Sequence, residues 1–212
     1  MAGHSALSLQ VGIGQYWDLS RELCRFRDQV QLQYPQATLR FETYDFQQLR
    51  QKLRSGALDV MLCTKTSLMD FDGLEVVQIA NMESRAYVRR GLLCPEDQPL
   101  RAEDFEGQRL LMLSEEESPM AMELAQLQFQ ALQVKVNPVW LPNRDTILQA
   151  LLMGDGVAVF DQYIRFREDA RLTYYSLEDD IPICIVWNQR NQNPLIHLFA
   201  DTMAKLMESE PR

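Results

Sequence analysis

The chain has 212 residues, 46% of them hydrophobic and 24% charged, and a formal net charge of −9. That is ordinary for a water-soluble protein of one or two domains with a sizeable core. The acidic balance argues against a chain that grips nucleic acid by a basic face of its own, and no apolar run approaches the roughly 18 residues needed to cross a bilayer.

The first ten residues, MAGHSALSLQ, show no basic stretch followed by an apolar core, so residues 1–6 are read as a tail and not as a secretory signal. Leu7 to Ile13 alternates at period two, a strand. After Gly14, Leu19, Leu23, Phe26 and Val30 fall on one face of a helix, which Pro35 ends. Ala37 to Thr43 alternates again, with Leu39 and Phe41 on one face and Arg40 and Glu42 on the other. A second helix over about 46–55 turns Leu49 and Leu53 inward, and Gly56 stands where a left-handed C-terminal cap is expected. Leu58 to Cys63 is nearly all apolar, the pattern of a parallel strand buried on both faces. The order β-α-β-α-β predicts an open α/β sheet with right-handed helical crossovers.

The same grammar continues. Leu74 to Ile79, Ala86 to Leu93 and Arg109 to Leu113 read as strands, and Pro95 and Pro99 bound a loop. The acidic run Glu115-Glu116-Glu117 reads as a solvated turn. A helix is predicted over 120–132, a strand over 134–141, and a helix from Thr146 to Met153 with Asn143 as its N-cap. Gly154-Asp155-Gly156 turns into the strand Val157 to Phe160. A strand from Ile183 to Trp187 precedes a last helix with Ile196, Phe199, Met203 and Leu206 on one face. No internal repeat or low-complexity tract is visible.

Motifs of catalysis are missing. Gly12-x-Gly14 is half a dinucleotide fingerprint, with Trp17 where the third glycine belongs. There is no phosphate-binding GxxxxGK[ST], nucleophile elbow, HExxH or EF-hand loop. The two histidines, His4 and His197, argue against most histidine metal sites and a Ser-His-Asp triad. Neither a metal nor another cofactor is expected, and the chain is not expected to be an enzyme. Cys24, Cys63, Cys94 and Cys184 are far apart without a CxxC; three of them lie in apolar patterns, and the reading is four free thiols.

The stretch FRDQVQLQYPQATLRFETYDFQQLRQKLRSGALDVMLCT resembles the first lobe of the effector-binding domain of LysR-type transcriptional regulators. A helix ending in Tyr34-Pro35, a strand, a short helix with Leu49 and Leu53, and then Gly56-x-Leu58-Asp59 before an apolar strand carry the likeness. LRAEDFEGQRLLML is similar to the segment leading into the second lobe, and ILQALLMGDGVAVF to the Gly-x-Gly-hydrophobic signature there, with Gly154 and Gly156 as its glycines. The likeness spans about residues 7–207. It departs where the family's proline after the hydrophobic strand of that signature is Asp161, and where its His-Pro-Leu is Gln98-Pro99-Leu100.

The resemblance implies an α/β fold of two Rossmann-like lobes with a ligand cleft between them, of the periplasmic-binding-protein type 2. The expected division is 7–80 with 161–212 as lobe I and 81–160 as lobe II. Asp59 is read as a structural carboxylate accepting backbone hydrogen bonds where the third strand begins. In such sheets ligands sit beyond the carboxyl ends of the strands. Those ends supply the candidate ligand-binding residues Gln15, Tyr16, Trp17, Tyr44, Thr64, Lys65, Asn81, Ser114, Glu115, Asn143, Phe160 and Asp161. Residues 14–17 are expected at a helix N-terminus, which with Thr64 and Lys65 suits a carboxylate. Tyr16 and Trp17 serve equally as packing for the first helix, and Lys65 equally as a surface lysine. Glu115 and Asp161 oppose an anion, so the effector's charge stays open.

The expected function is therefore a cytoplasmic, ligand-sensing, dimerising regulatory domain. It would bind a small-molecule effector, form a homodimer or tetramer, and meet DNA only through a winged helix-turn-helix domain on its N-terminal side, with no membrane partner. The implied dimer is antiparallel, residues of about 18–43 in one subunit meeting about 120–140 in the other, with Arg40, Glu42, Lys135 and Pro138 near the seam. The alternative is an extracytoplasmic solute-binding or sensor-kinase input domain of the same fold, against which four unpaired cysteines weigh.

Overall fold

The computed structural model describes residues 7–65, 72–113, 119–177, 179 and 181–208. In chain order these form β1 (Ser8–Gly14), α1 (Ser20–Gln33), β2 (Thr38–Tyr44), α2 (Phe46–Ser55), β3 (Val60–Thr64), β4 (Leu74–Met82), β5 (Ser84–Arg89), a 3-10 turn (Ala102–Phe105), β6 (Arg109–Leu113), α3 (Pro119–Ala131), β7 (Asn137–Leu141), α4 (Arg144–Met153), β8 (Ala158–Asp161), β9 (Leu172–Ser176), β10 (Ile181–Asn188) and α5 (Pro194–Glu208). Two compact units result: Met1–Met82 with Ile181–Arg212, and Glu83–Asp180.

The expected division gave residues 161–180 to the first lobe, and the structure corrects this. Those residues carry β9, which the sequence reading did not find. β9 pairs antiparallel with β5, Tyr174 opposite Tyr87, so the segment belongs to the second unit.

The first unit is a five-stranded sheet in the order β2-β1-β3-β10-β4. β1 runs parallel to β2 and to β3. β10 is antiparallel to both its neighbours, so β4 again runs with β1. The third strand is thus parallel on one side only, though buried on both faces as expected. Successive side chains of a strand point to opposite faces. One face buries Met61, Cys63, Cys184 and Val186 beneath Leu49 and Leu53 of α2. Gly12 lies under the same helix, and a Cβ there would meet Leu58 and Leu49 side chains at 2.4 and 2.5 Å. α5 packs on β1 and β4 and against α1, where Phe26 and Phe199 meet edge-on, ring centroids 4.8 Å apart. Gly56 closes α2 with φ +76°, the expected left-handed cap.

The second unit holds β8-β5-β9 and the parallel pair β6-β7. A parallel bridge between Leu110 and Val157 links β6 to the start of β8. With that bridge the order is β7-β6-β8-β5-β9, with β5 alone reversed. This is the strand plan of the first unit: second, first and third strands side by side, then a reversed strand, then a co-directional edge. α3 covers the face of Ala86, Val88, Leu110 and Met112 through Ala125 and Phe129. α4 packs on β5, β6 and β7. Asn143 caps α4 as expected, its Oδ1 accepting from the backbone N–H of Thr146 at 2.8 Å.

All four cysteines are free, as read from the sequence, but Cys24 is exposed on α1 instead of lying in the core. Cys63 and Cys184 are direct register partners on β3 and β10, and burial raises both thiols' pKa.

Candidate functional site

In the first unit β2, β1, β3 and β4 all end on one edge of the sheet. Gly14 is the register partner of Tyr44, and the N–H of Gln15 donates to the Tyr44 carbonyl at 2.9 Å. Thr64, the last residue of β3, stands opposite Ile183 of β10, and Asn81 of β4 opposite Pro182. Topology thus brings Gln15, Tyr44, Thr64 and Asn81 to a single edge, with Lys65 exposed just beyond Thr64. Tyr44 is held by its own strand and helix: its hydroxyl donates to Glu42 at 2.5 Å, and the Lys52 ammonium lies 4.5 Å from its ring centre. Asn81 Oδ1 accepts from Gln78 at 2.8 Å.

Residues 14–17 were expected at a helix N-terminus, and here the structure differs. They form a tight turn, Trp17 N–H to Gly14 carbonyl at 3.0 Å. The helix starts only at Ser20, whose N–H and hydroxyl are taken by Asp18 Oδ1 at 3.2 and 2.7 Å. Asp18 thus sets a carboxylate of the chain itself against the first N–H of that helix. Gln15, Tyr16 and Trp17 are half-buried in the turn.

In the second unit β7, β6, β8 and β9 end on one edge, and the reversed β5 begins there. Asn143 follows β7 at this edge, with its Oδ1 committed to the cap. Phe160 and Asp161 close β8; Phe160 is the register partner of Arg85, and Asp161 of Ser84. Asp161 Oδ1 accepts from the Tyr163 N–H at 2.9 Å and so shapes the turn after β8. Ser114 and Glu115 lie outside the described residues, as does the rest of the acidic run 115–117.

Residues the sequence reading missed share this edge. Arg85, near the start of β5, lies across the ring of Tyr174, its Cζ 4.2 Å from the centroid. Tyr87, two residues on, is buried among Phe160, Phe166 and Tyr174, with centroids at 6.2, 5.8 and 5.5 Å. A search confined to carboxyl ends passes over a strand that enters the edge by its amino end. The available signal was the arginine itself, at an alternating position of a strand otherwise apolar on its core side.

The comparisons with known proteins agree with this architecture. The model of the LysR substrate binding domain family matches residues 7–208. The chain belongs to that family. Solved structures share the fold: the reduced regulatory domain of OxyR2 from Vibrio vulnificus (TM-score 0.71, 18% identity, 95% of this chain and 96% of that one), CbnR in complex with its target DNA (0.69, 15%, 96% and 71%) and the reduced OxyR regulatory domain from Pseudomonas aeruginosa (0.63, 19%, 94% and 98%). No curated protein sequence matches.

Membership of the LysR family supports the regulatory-domain reading over an extracytoplasmic solute binder. Asp161 is intelligible within this LysR domain: the carboxylate that stands where the family's proline is expected makes a local turn hydrogen bond instead. Among the described residues no helix is long and apolar enough to cross a membrane.

Proposed function

We propose that this chain is the sensing domain of a cytoplasmic LysR-type transcriptional regulator. It binds a small-molecule effector through the strand-end residues Gln15, Tyr16, Trp17, Tyr44, Thr64, Lys65 and Asn81 of the first unit and Asn143, Phe160 and Asp161 of the second, with Ser114 and Glu115 as further contacts. The family match over 7–208 carries the reading; the convergence of Gln15, Tyr44, Thr64 and Asn81 on one sheet edge supports it. An effector acts by binding one conformational state more tightly than another, and the population shifts by that difference. Four free thiols fit a reducing compartment.

The regulator works as a homodimer or tetramer and reaches DNA through a winged helix-turn-helix domain N-terminal to this one; that full-length CbnR, which shares this fold, was solved with its target DNA supports a DNA-bound whole protein. Exposed apolar side chains favour the antiparallel seam. Leu32 (86% exposed) and Tyr34 end α1 of one subunit, and Leu127 and Trp140 stand on α3 and β7 for the other, with Arg40, Glu42, Lys135 and Pro138 beside them.

A thermal-shift screen of metabolites followed by calorimetry tests the sensing role. A saturable ligand whose affinity falls in Gln15→Ala and Thr64→Val is expected. Binding untouched by substitutions at any of these strand ends sinks the site. Sedimentation equilibrium at micromolar concentration tests assembly, and a monomer throughout would refute the dimer.

A further inference from the structure

β5 sends its side chains into two environments. Ala86 and Val88 lie in the core beneath α3. Arg85 and Tyr87, on the alternate face, lie among the rings of Phe160, Phe166 and Tyr174. Tyr87 is 1% exposed, and its hydroxyl has no hydrogen-bond partner; the buried Nε of Arg85 has none either. The two groups are neighbours without a well-formed bond between them. Burial pushes the Tyr87 hydroxyl up to about 12 even though the guanidinium beside it pulls the other way, so at neutral pH the phenol keeps its proton. The Tyr87 O–H and the Arg85 Nε–H thus converge with the phenolic oxygen as an acceptor beside the guanidinium, and neither donor is hydrogen-bonded among the described residues. Buried donors are almost always satisfied, and an exception calls for a partner.

Glu83 Oε1 pairs with Arg85 as an ion at 3.6 Å from Nε, beyond hydrogen-bonding length. The ring that carries the guanidinium, Tyr174, is 42% exposed, so the group borders solvent. We infer that Arg85 and Tyr87 form the subsite for the carboxylate of a monocarboxylic acid with a flat apolar body. This rests on the effector-binding reading and names the chemical class of the effector at that edge.

A carboxylate oxygen is the acceptor that takes an N–H from a guanidinium and an O–H from a phenol at once. The rings of Phe160, Phe166 and Tyr174 supply apolar surface for what the carboxylate is attached to. Phosphate and sulfate fit worse. Glu83 and Asp161 both act on this spot, Asp161 through its field on the Tyr87 hydroxyl. Glu83 and Asp161 outnumber the one guanidinium, so an anion is held there only by direct bonds from Arg85 and Tyr87, and a dianion is repelled more strongly than a monoanion.

The test titrates the chain with phenylacetate, with its neutral isostere phenylacetamide, and with sulfate, by calorimetry, in the parent and in Arg85→Met, Arg85→Lys and Tyr87→Phe. Phenylacetate is expected to bind saturably, and phenylacetamide and sulfate at least roughly tenfold more weakly. Arg85→Met should abolish the preference for the acid, and Arg85→Lys should keep part of it. Tyr87→Phe removes a donor that is unpaired in the free protein, so it should weaken phenylacetate binding while leaving the unliganded melting temperature unchanged or higher. A Tyr87→Phe protein that melts lower but binds phenylacetate as well as the parent would make the hydroxyl purely structural and overturn the subsite. So would equal binding of acid and amide, or sulfate binding as tightly as phenylacetate. If neutral metabolites bind with sensitivity to Gln15→Ala and Thr64→Val while no carboxylate does, the subsite fails and the sensing role stands. If nothing of any class binds, the sensing role itself fails.

Discussion

Asp59 Oδ1 accepts a hydrogen bond from Nδ2 of Asn191 at 2.9 Å, across 132 positions of sequence. Its other oxygen accepts the N–H of Gln10 at 2.8 Å, and its own N–H donates to the Gln10 carbonyl at 2.9 Å. Asn191 Oδ1 in turn accepts from the N–H of Asn193 at 3.1 Å. Asn193 then accepts from Leu195 N–H at 3.1 Å and donates to the Ser8 carbonyl at 2.6 Å, with Pro194 between them opening α5 where no N–H is needed. One carboxylate thereby ties β1, β3 and the entry to α5 together, the structural role read for it from its place at the start of the strand.

Both groups facing the Asp59 carboxylate are donors. Removing both acceptors in Asp59→Ala should cost about 2–3 kcal/mol in urea unfolding. Asn at this position brings one acceptor and one donor, so either Gln10 or Asn191 loses its bond, and Asp59→Asn should still cost roughly 1–2 kcal/mol. An Asp59→Asn protein as stable as the parent would mean that one of the two bonds contributes nothing.

Gly156 and Gly12 are glycines for different reasons, and alanine separates them. A Cβ on Gly156 would lie 2.4 Å from the carbonyl oxygen of Arg109, the same oxygen that accepts the Val157 N–H at 2.8 Å. Backbone in a bridged pair cannot give way, so Gly156→Ala should cost about 3 kcal/mol or more. At Gly12 the obstacles are terminal methyls of Leu58 and Leu49. These can move, so Gly12→Ala should cost only about 1–2 kcal/mol, and a second substitution, Leu49→Val, should recover part of it. Melting temperatures of the three variants check the ranking, and Gly12→Ala melting below Gly156→Ala would reverse it.

Local signals carried most of the fold. Phe26 and Val30 mark the buried face of α1, Gly56 closes α2 with its expected left-handed φ, and Asn143 caps α4, because periodicity and capping depend on residues a few positions apart. β9 escaped because its partner β5 lies almost ninety residues earlier and the intervening RFREDAR masks its alternation. With β9 lost, residues 161–180 were assigned to the wrong unit. The strand plan common to the two units is invisible as a sequence repeat, since pairing and direction define it and no shared residue pattern does. The start of α1 was misplaced because glycine and aromatic residues after a strand do not state where a helix begins; Asp18 with Ser20 does. The ends of β1, β2 and β3 were legible because their apolar periodicity is local, whereas Arg85 and Tyr87 were passed over because β5 enters its edge reversed.

Tyr87 also sets a pH dependence whose sign can be worked out. Burial raises its hydroxyl from about 10 to about 12 in the folded state. Between these values the unfolded chain has released the proton and the folded chain holds it, so the folded state binds more protons and stability falls as pH rises. The contribution is fully present below pH ~10 and lost progressively up to about pH 12, an effect with a ceiling of roughly 2.7 kcal/mol. Phenylalanine has no proton to lose. Urea unfolding at pH 8, 9, 10 and 11 should therefore show the parent losing stability relative to Tyr87→Phe only above pH ~10. Parallel alkaline curves for the two proteins would show that the hydroxyl ionises as freely in the fold as in the unfolded chain, and that the ring cluster around it admits water.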